Sequence, residues 1–210
     1  MAGALTVVWL APVSLTASSI TGLAQVRTVY GSLRHGQADL AGGYVVTWRT
    51  RPALRPWPGL AGTVALAGDD TRLGGSLALF PDRLGLSALS GRAGPGLAGL
   101  VPGAWRCDAS VRVDGVALAW RLRRVTAGGG ASLPATTCAK GEARIDLPPL
   151  DLALTTEDRA GVARLSGGGT PLATATLRRE RRVDIDIRPE ASRVFPALPA
   201  GGPLALSVPF

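Results

Sequence analysis

The chain has 210 residues, 46% of them hydrophobic, and carries a formal charge of +8 from 23 basic and 15 acidic side chains. That hydrophobic share can build a packed core. The 28 glycines and 16 prolines fall between apolar runs rather than in tracts, which excludes a low-complexity disordered chain. All the basic residues except Lys140 are arginine, a skew that codon bias in a GC-rich genome produces. They cluster only at Arg121, Arg123 and Arg124 and at Arg178, Arg179, Arg181 and Arg182, with no nucleic-acid motif around either group. These read as solvated strand ends, and no nucleic-acid partner is expected.

From Ala2 to Val26 no side chain is ionisable, and Arg27 is the first that is. A span of roughly 20 mostly apolar residues crosses a bilayer, so segment 1–24 is long enough. Pro12 and a run of Ser and Thr dilute it, leaving Ala2 to Leu15 as its most apolar part. The small residues Thr16-Ala17-Ser18-Ser19 suit a signal-peptide cleavage region, but no positive charge precedes the apolar core. A membrane anchor or signal-anchor is expected over 1–24, with a buried terminal strand or helix as the structural alternative.

Residues 25–210 read as β structure throughout. A first strand leads into a turn at His35-Gly36, flanked by Leu33 and Ala38. Gly42-Gly43 then ends that run, and the β-branched and aromatic residues from Tyr44 to Trp48 suit a half-buried strand. Pro56 and Pro58 stiffen the connection that follows. Thr63 to Leu66, Leu73 to Phe80 and Leu84 to Leu89 are strands of hairpin length between turn signals. The glycine-rich stretch 91–103 is the expected boundary between two β halves, with room for one short helical turn around Leu97 to Val101.

The second half shows the clearest alternation. Val111 and Val113, then Val116, Leu118, Trp120 and Leu122, fall at two-residue spacing either side of Gly115, which shifts the register as a bulge or tight turn does. Shorter apolar runs follow around Ile145, Leu152, Val162, Leu172, Ile185 and Leu204. Nearly every run is bounded by Gly, Pro, Asp or Thr, and no 3.6-residue period appears beyond the amino-terminal segment. The expected fold is all-β: a twisted antiparallel sheet forming a sandwich or open half-barrel.

No catalytic, cofactor or metal constellation emerges. His35 is the sole histidine and is expected in a turn. Asp184 and Asp186 share one face of a strand but read as its polar side, balanced by Arg181, Arg182 and Arg188. The triplets Gly128-Gly129-Gly130 and Gly167-Gly168-Gly169 lack the Gly-Lys-Ser/Thr of a phosphate loop and read as wide turns. Cys107 and Cys138, 31 residues apart, fit neither a redox motif nor a zinc ribbon. In an oxidising compartment they would pair, closing a loop that stabilises the fold by about 3 to 4 kcal/mol. In a reducing cytosol they would be two buried thiols.

The block Tyr30-Gly31-Ser32-Leu33-Arg34-His35-Gly36-Gln37-Ala38 and the following Val46-Thr47-Trp48-Arg49-Thr50-Arg51-Pro52 resemble the type II secretion system protein N family, also called general secretion pathway protein N. That family shows a Gly-Ser/Thr-Leu-aromatic-x-Gly-x-Ala block and a Trp-Arg-x-x-Pro block after an amino-terminal anchor. The likeness continues through Leu60-Ala61-Gly62-Thr63 and Leu73-Gly74-Gly75-Ser76-Leu77. It extends to Cys107 and to the Cys-x-x-Gly-Glu segment at Cys138, covering most of 25–210. Arg34 stands where an aromatic is more usual. The resemblance implies a single-pass inner-membrane protein of a Gram-negative cell, with a periplasmic β domain and without catalysis. Its partners would be other secretion components. A long sheet with alternating faces would also form an apolar trough for acyl chains, so lipid is the alternative partner.

Overall fold

The computed structural model describes residues 26–54, 57–100, 105–122, 124–180, 182–196, 198–199 and 202–209. The expected amino-terminal hydrophobic segment lies outside them. Among the described residues no helix is long and apolar enough to cross a membrane.

The strands, in chain order, are β1 (Val26–Gly31), β2 (His35–Leu40), β3 (Val45–Leu54), β4 (Pro58–Ala67), β5 (Arg72–Phe80), β6 (Arg83–Ala93), β7 (Arg106–Cys107) and β8 (Val111–Arg121). The second half adds β9 (Arg124–Leu133), β10 (Thr136–Lys140), β11 (Ala143–Leu147), β12 (Leu150–Glu157), β13 (Ala160–Gly167), β14 (Thr170–Arg178), β15 (Arg182–Ile187) and β16 (Leu204–Pro209). Short 3-10 turns occupy Ala41–Gly43 and Pro95–Leu100, and a single helical turn, α1, spans Ala191–Val194.

Among the described residues thirteen of these strands form one antiparallel sheet in near-sequential order, from β1 through β6, then β8, β9 and β12 through β16. Most strands pair with the one before them because short turns join antiparallel neighbours directly, while β6–β8, β9–β12 and β15–β16 pair across longer connections. The all-β expectation holds, in its open form: β1 and β16 are the two edges, and the sheet does not close into a barrel. The glycine-rich stretch sits between β6 and β8, which pair with each other from Arg83↔Arg121 to Ala93↔Val111. The sheet therefore runs on without interruption past that stretch.

Three strands left out of the large sheet make a small one, in the order β11-β10-β7. Cys107 of β7 lies directly opposite Cys138 of β10, and the two form a disulfide that ties this appendage together. Cys138 is fully buried.

Two local expectations differ from the structure. The first turn is Ser32-Leu33-Arg34, and His35 and Gly36 belong to β2. Ser32 explains the shift, because its Oγ accepts the backbone N–H groups of Arg34 and His35, at 3.3 and 3.4 Å, and closes the turn early. Gly128-Gly129-Gly130 lies inside β9 rather than in a turn. There Gly129, at φ +83°, packs against the Gly115 carbonyl, where a Cβ would collide, and the ladder slips between Asp114 and Ala117 as the Gly115 pattern implied. The other triplet does make a turn, with Gly168 and Gly169 both at positive φ between β13 and β14.

Candidate functional site

Residues directly opposite in an antiparallel ladder point to the same side of the sheet, so the register carries one face from edge to edge. From Val29↔Ala38 the face passes through Ala38↔Val46 and Val46↔Leu66 to Leu66↔Leu73. Leu79↔Leu84, Leu84↔Trp120 and Trp120↔Val125 carry it across the middle. Leu152↔Leu165, Leu165↔Ala173, Ala173↔Ile187 and Ile187↔Leu204 bring it to β16. This face is apolar along its whole length. The other carries Gln37, Arg49, Thr63, Ser76, Arg92, Arg112, Ser132, Asp151, Arg164, Thr174, Asp184 and Ser207.

Two features enclose the apolar face locally. At the end of the sheet where β4 turns into β5, the Tyr44 hydroxyl donates to Asp70 Oδ1 at 2.8 Å and the Thr71 hydroxyl donates to the same oxygen at 2.9 Å. Gly96 N–H donates to Asp70 Oδ2 at 2.7 Å, and Gly94 N–H donates to Thr71 Oγ1 at 2.8 Å. This network draws the Pro95–Leu100 turn over Tyr44, which is 4% exposed. The Gly96 amide is the main reason the Asp70 carboxyl lies below its usual range, while burial, followed by the hydrogen bond to Asp70 and then its charge, pushes the Tyr44 phenol up.

The second enclosure is a bend. Beyond Gly129↔Leu154 the β9–β12 ladder ends, and Thr156 Oγ1 takes over by donating to Ala127 O and accepting from Ala127 N, both at 2.8 Å. Val125 N–H reaches past β12 to the Arg159 carbonyl, at 2.8 Å. A Cβ placed on Gly161 of β13 would sit 3.2 Å from Val125 Cγ1 and from Ala127 Cβ on β9. Strands two apart in a flat sheet are about 9.6 Å from each other, so the sheet is sharply curled here, with the apolar face inside. Val125 is 0% exposed as a result.

Elsewhere that face is open. Leu54, Leu79, Leu84, Leu118, Leu206 and Val208 all project from it and are exposed, Leu84 by 57% and Leu118 by 42%. They gather on β3, β5, β6 and β8 and again on the β16 edge, and exposed apolar patches of this kind mark interaction surfaces. Sequence reasoning found the alternation strand by strand. The unbroken face depends on the register between strands, which no single run reveals.

The residues weighed for chemistry fall on the polar face. His35 is exposed, opposite Arg49, in a shallow depression shared with Tyr30, Gln37, Thr47 and Thr63. Asp184 accepts from Arg178 Nε at 3.0 Å and from Ser207 Oγ at 2.8 Å. Its ion-pair partner is therefore Arg178 on the neighbouring strand rather than Arg182 or Arg188, because cross-strand neighbours approach more closely than residues along one strand; Arg181, also expected to balance it, lies outside the described residues. Ser207 first and then Arg178 hold the Asp184 carboxyl below its ordinary value, with the Arg182 charge adding at longer range. Glu157 and Arg164 make a bidentate pair at 2.6 and 2.7 Å, on exposed side chains where such a pair adds little stability.

These features define an open, antiparallel thirteen-stranded β-sheet with one apolar and one polar face and a small three-stranded sheet beside it. Comparison of the chain with family models, with curated proteins and with solved structures finds no match to any of them.

Proposed function

We propose that the chain is an accessory inner-membrane component of the type II secretion system whose β domain acts in the periplasm through protein–protein contacts, without catalysis. The support is the likeness of its Tyr30–Ala38 and Val46–Pro52 blocks, which form much of β1 to β3, to the secretion protein N family. The observation that carries a contact role is β16. This edge strand has no charged residue, its one proline, Pro209, stands at its last position, and among the described residues nothing pairs with its outer side. Edge strands of isolated proteins are usually blunted by charge, bulge or cover, and an unblunted edge can accept a strand from a partner. Cross-linking and affinity capture of the full chain from envelope membranes should recover other secretion components, with recovery reduced by Leu206→Lys on the edge. Recovery of none would remove the reading.

A second reading, lipid binding or transfer in the envelope, is favoured by the uninterrupted apolar face. Native mass spectrometry of the purified chain decides it: a co-purifying lipid supports the reading, and a lipid-free chain that also takes up none from added vesicles excludes it.

A further inference from the structure

The polar face carries a row of like charges. Arg72 of β5 lies directly opposite Arg92 of β6, and Arg92 lies directly opposite Arg112 of β8. Three guanidinium groups on adjacent strands at one level repel one another, and directly opposed like charges destabilise a sheet. Among the described residues none of the three is in an ion pair; those present involve Arg164, Arg178 and Arg179. A second row, Arg83–Arg121–Arg124, recurs toward the other end of the same strands, but there Arg83 rests over the Phe80 ring, 5.0 Å from its centroid. The first row has no such outlet.

Its surroundings supply what an anion needs. Arg72, Arg92 and Arg112 line an open concavity of about 670 Å³ with Ser110 and Ser132, whose hydroxyls are donors, and with the Pro134 and Pro149 segments as its walls. Asp151 closes the far side. In the ladder it stands opposite Ser132, which stands opposite Arg112, so its backbone is two strand spacings, about 10 Å, from that of Arg112, and Asp114 lies two residues along β8 from Arg112 on the same face. Arginine forks bind tetrahedral oxyanions through paired N–H donors, and a dianion between them would turn mutual repulsion into shared attraction.

We propose that the Arg72–Arg92–Arg112 row is a binding site for phosphate-bearing anions. The phosphate comes either from a free phosphorylated molecule or from the headgroup of an anionic lipid. Arg92, opposite both neighbours, is the central residue. The site is on the opposite face from the apolar surface and does not rest on the secretion reading.

The test uses the full chain, with pyrophosphate as probe at ionic strength held constant with sodium chloride, alongside flotation with vesicles of phosphatidylglycerol or of phosphatidylcholine. Pyrophosphate is expected to raise the melting temperature of the parent protein, and Arg92→Gln to weaken that binding at least tenfold. Without ligand, Arg92→Gln should melt no lower than the parent, since it relieves repulsion. Arg144→Gln, on the small sheet, should behave as the parent. Arg92-dependent binding to phosphatidylglycerol over phosphatidylcholine assigns the site to a lipid headgroup; Arg92-dependent binding of pyrophosphate alone assigns it to a free anion. Equal behaviour of parent and Arg92→Gln toward both probes, or no response to either beyond sodium chloride, overturns the proposal.

Discussion

Tyr44 joins the apolar face to the segment that covers it, and its hydroxyl is the only polar atom it brings into that contact. Asp70 accepts that hydroxyl together with Thr71 Oγ1 and the Gly96 amide, so each donor is aimed at a carboxylate rather than at a neutral acceptor. Hydrogen bonds to charged groups contribute about 1.5 to 3 kcal/mol, and Tyr44→Phe should lower stability at pH 7 by about 1.5 kcal/mol. The sign with pH follows from Asp70. Its folded pKa is depressed below the ordinary 3.8, so its stabilisation is complete above that value and is lost as pH falls through the folded pKa. Urea unfolding of parent and Tyr44→Phe at neutral pH and again at a pH far enough below 3.8 to protonate Asp70 in the folded protein should therefore show the gap narrowing in acid. An equal gap at both pH values would mean that the hydroxyl does not act through the carboxylate.

At the scale of elements, the first three strands show how a sequence block becomes a local structure. Gly36 of β2 lies directly opposite Trp48 of β3, and the indole lies where a Gly36 side chain would be. The Trp48 Nε1–H donates to Ser32 O at 2.9 Å, and the Thr50 hydroxyl donates to Leu33 O at 2.6 Å, so β3 grips the preceding turn from both sides. Gly36→Ala should push the indole aside and cost about 1 to 3 kcal/mol, the range for overpacking. Gly74 of β5 has open space where its Cβ would be and no positive φ, so Gly74→Ala should be neutral or stabilise by up to about 1 kcal/mol. Thermal unfolding of the two variants side by side tests whether the Gly36–Trp48 contact fixes β2 against β3, and equal effects would say it does not. Strand identity was readable from alternation because each strand has one apolar face. The turn at Ser32 was not readable, since a serine capping two amides leaves no hydropathy signal and the neighbouring His35-Gly36 looks more turn-like. The pairing of Cys107 with Cys138 was conditional on compartment in the sequence. It is a cross-strand neighbour relation in the fold, set by β7 and β10 meeting outside the main sheet.

Across the whole molecule, one face serves as core at one place and as surface at another, and the difference is curvature. Val125 and Leu84 point to the same side of the same sheet, joined through Trp120 in the ladder, yet Val125 is 0% exposed inside the bend and Leu84 is 57% exposed outside it. Val125→Ala removes apolar volume from a closed site and should cost about 2 kcal/mol. Leu84→Lys places a charge where water already reaches and should change stability by no more than about 0.5 kcal/mol. The same Leu84→Lys protein should bind an environment-sensitive hydrophobic dye more weakly than the parent, because the charge interrupts the open stretch between Leu79 and Leu118. Dye titration and denaturant unfolding on both variants separate the two roles. If Leu84→Lys unfolds as easily as Val125→Ala, the face is core throughout and the sheet is covered in solution. If it keeps its stability and loses dye, the open stretch is a surface held ready for something other than the chain's own fold.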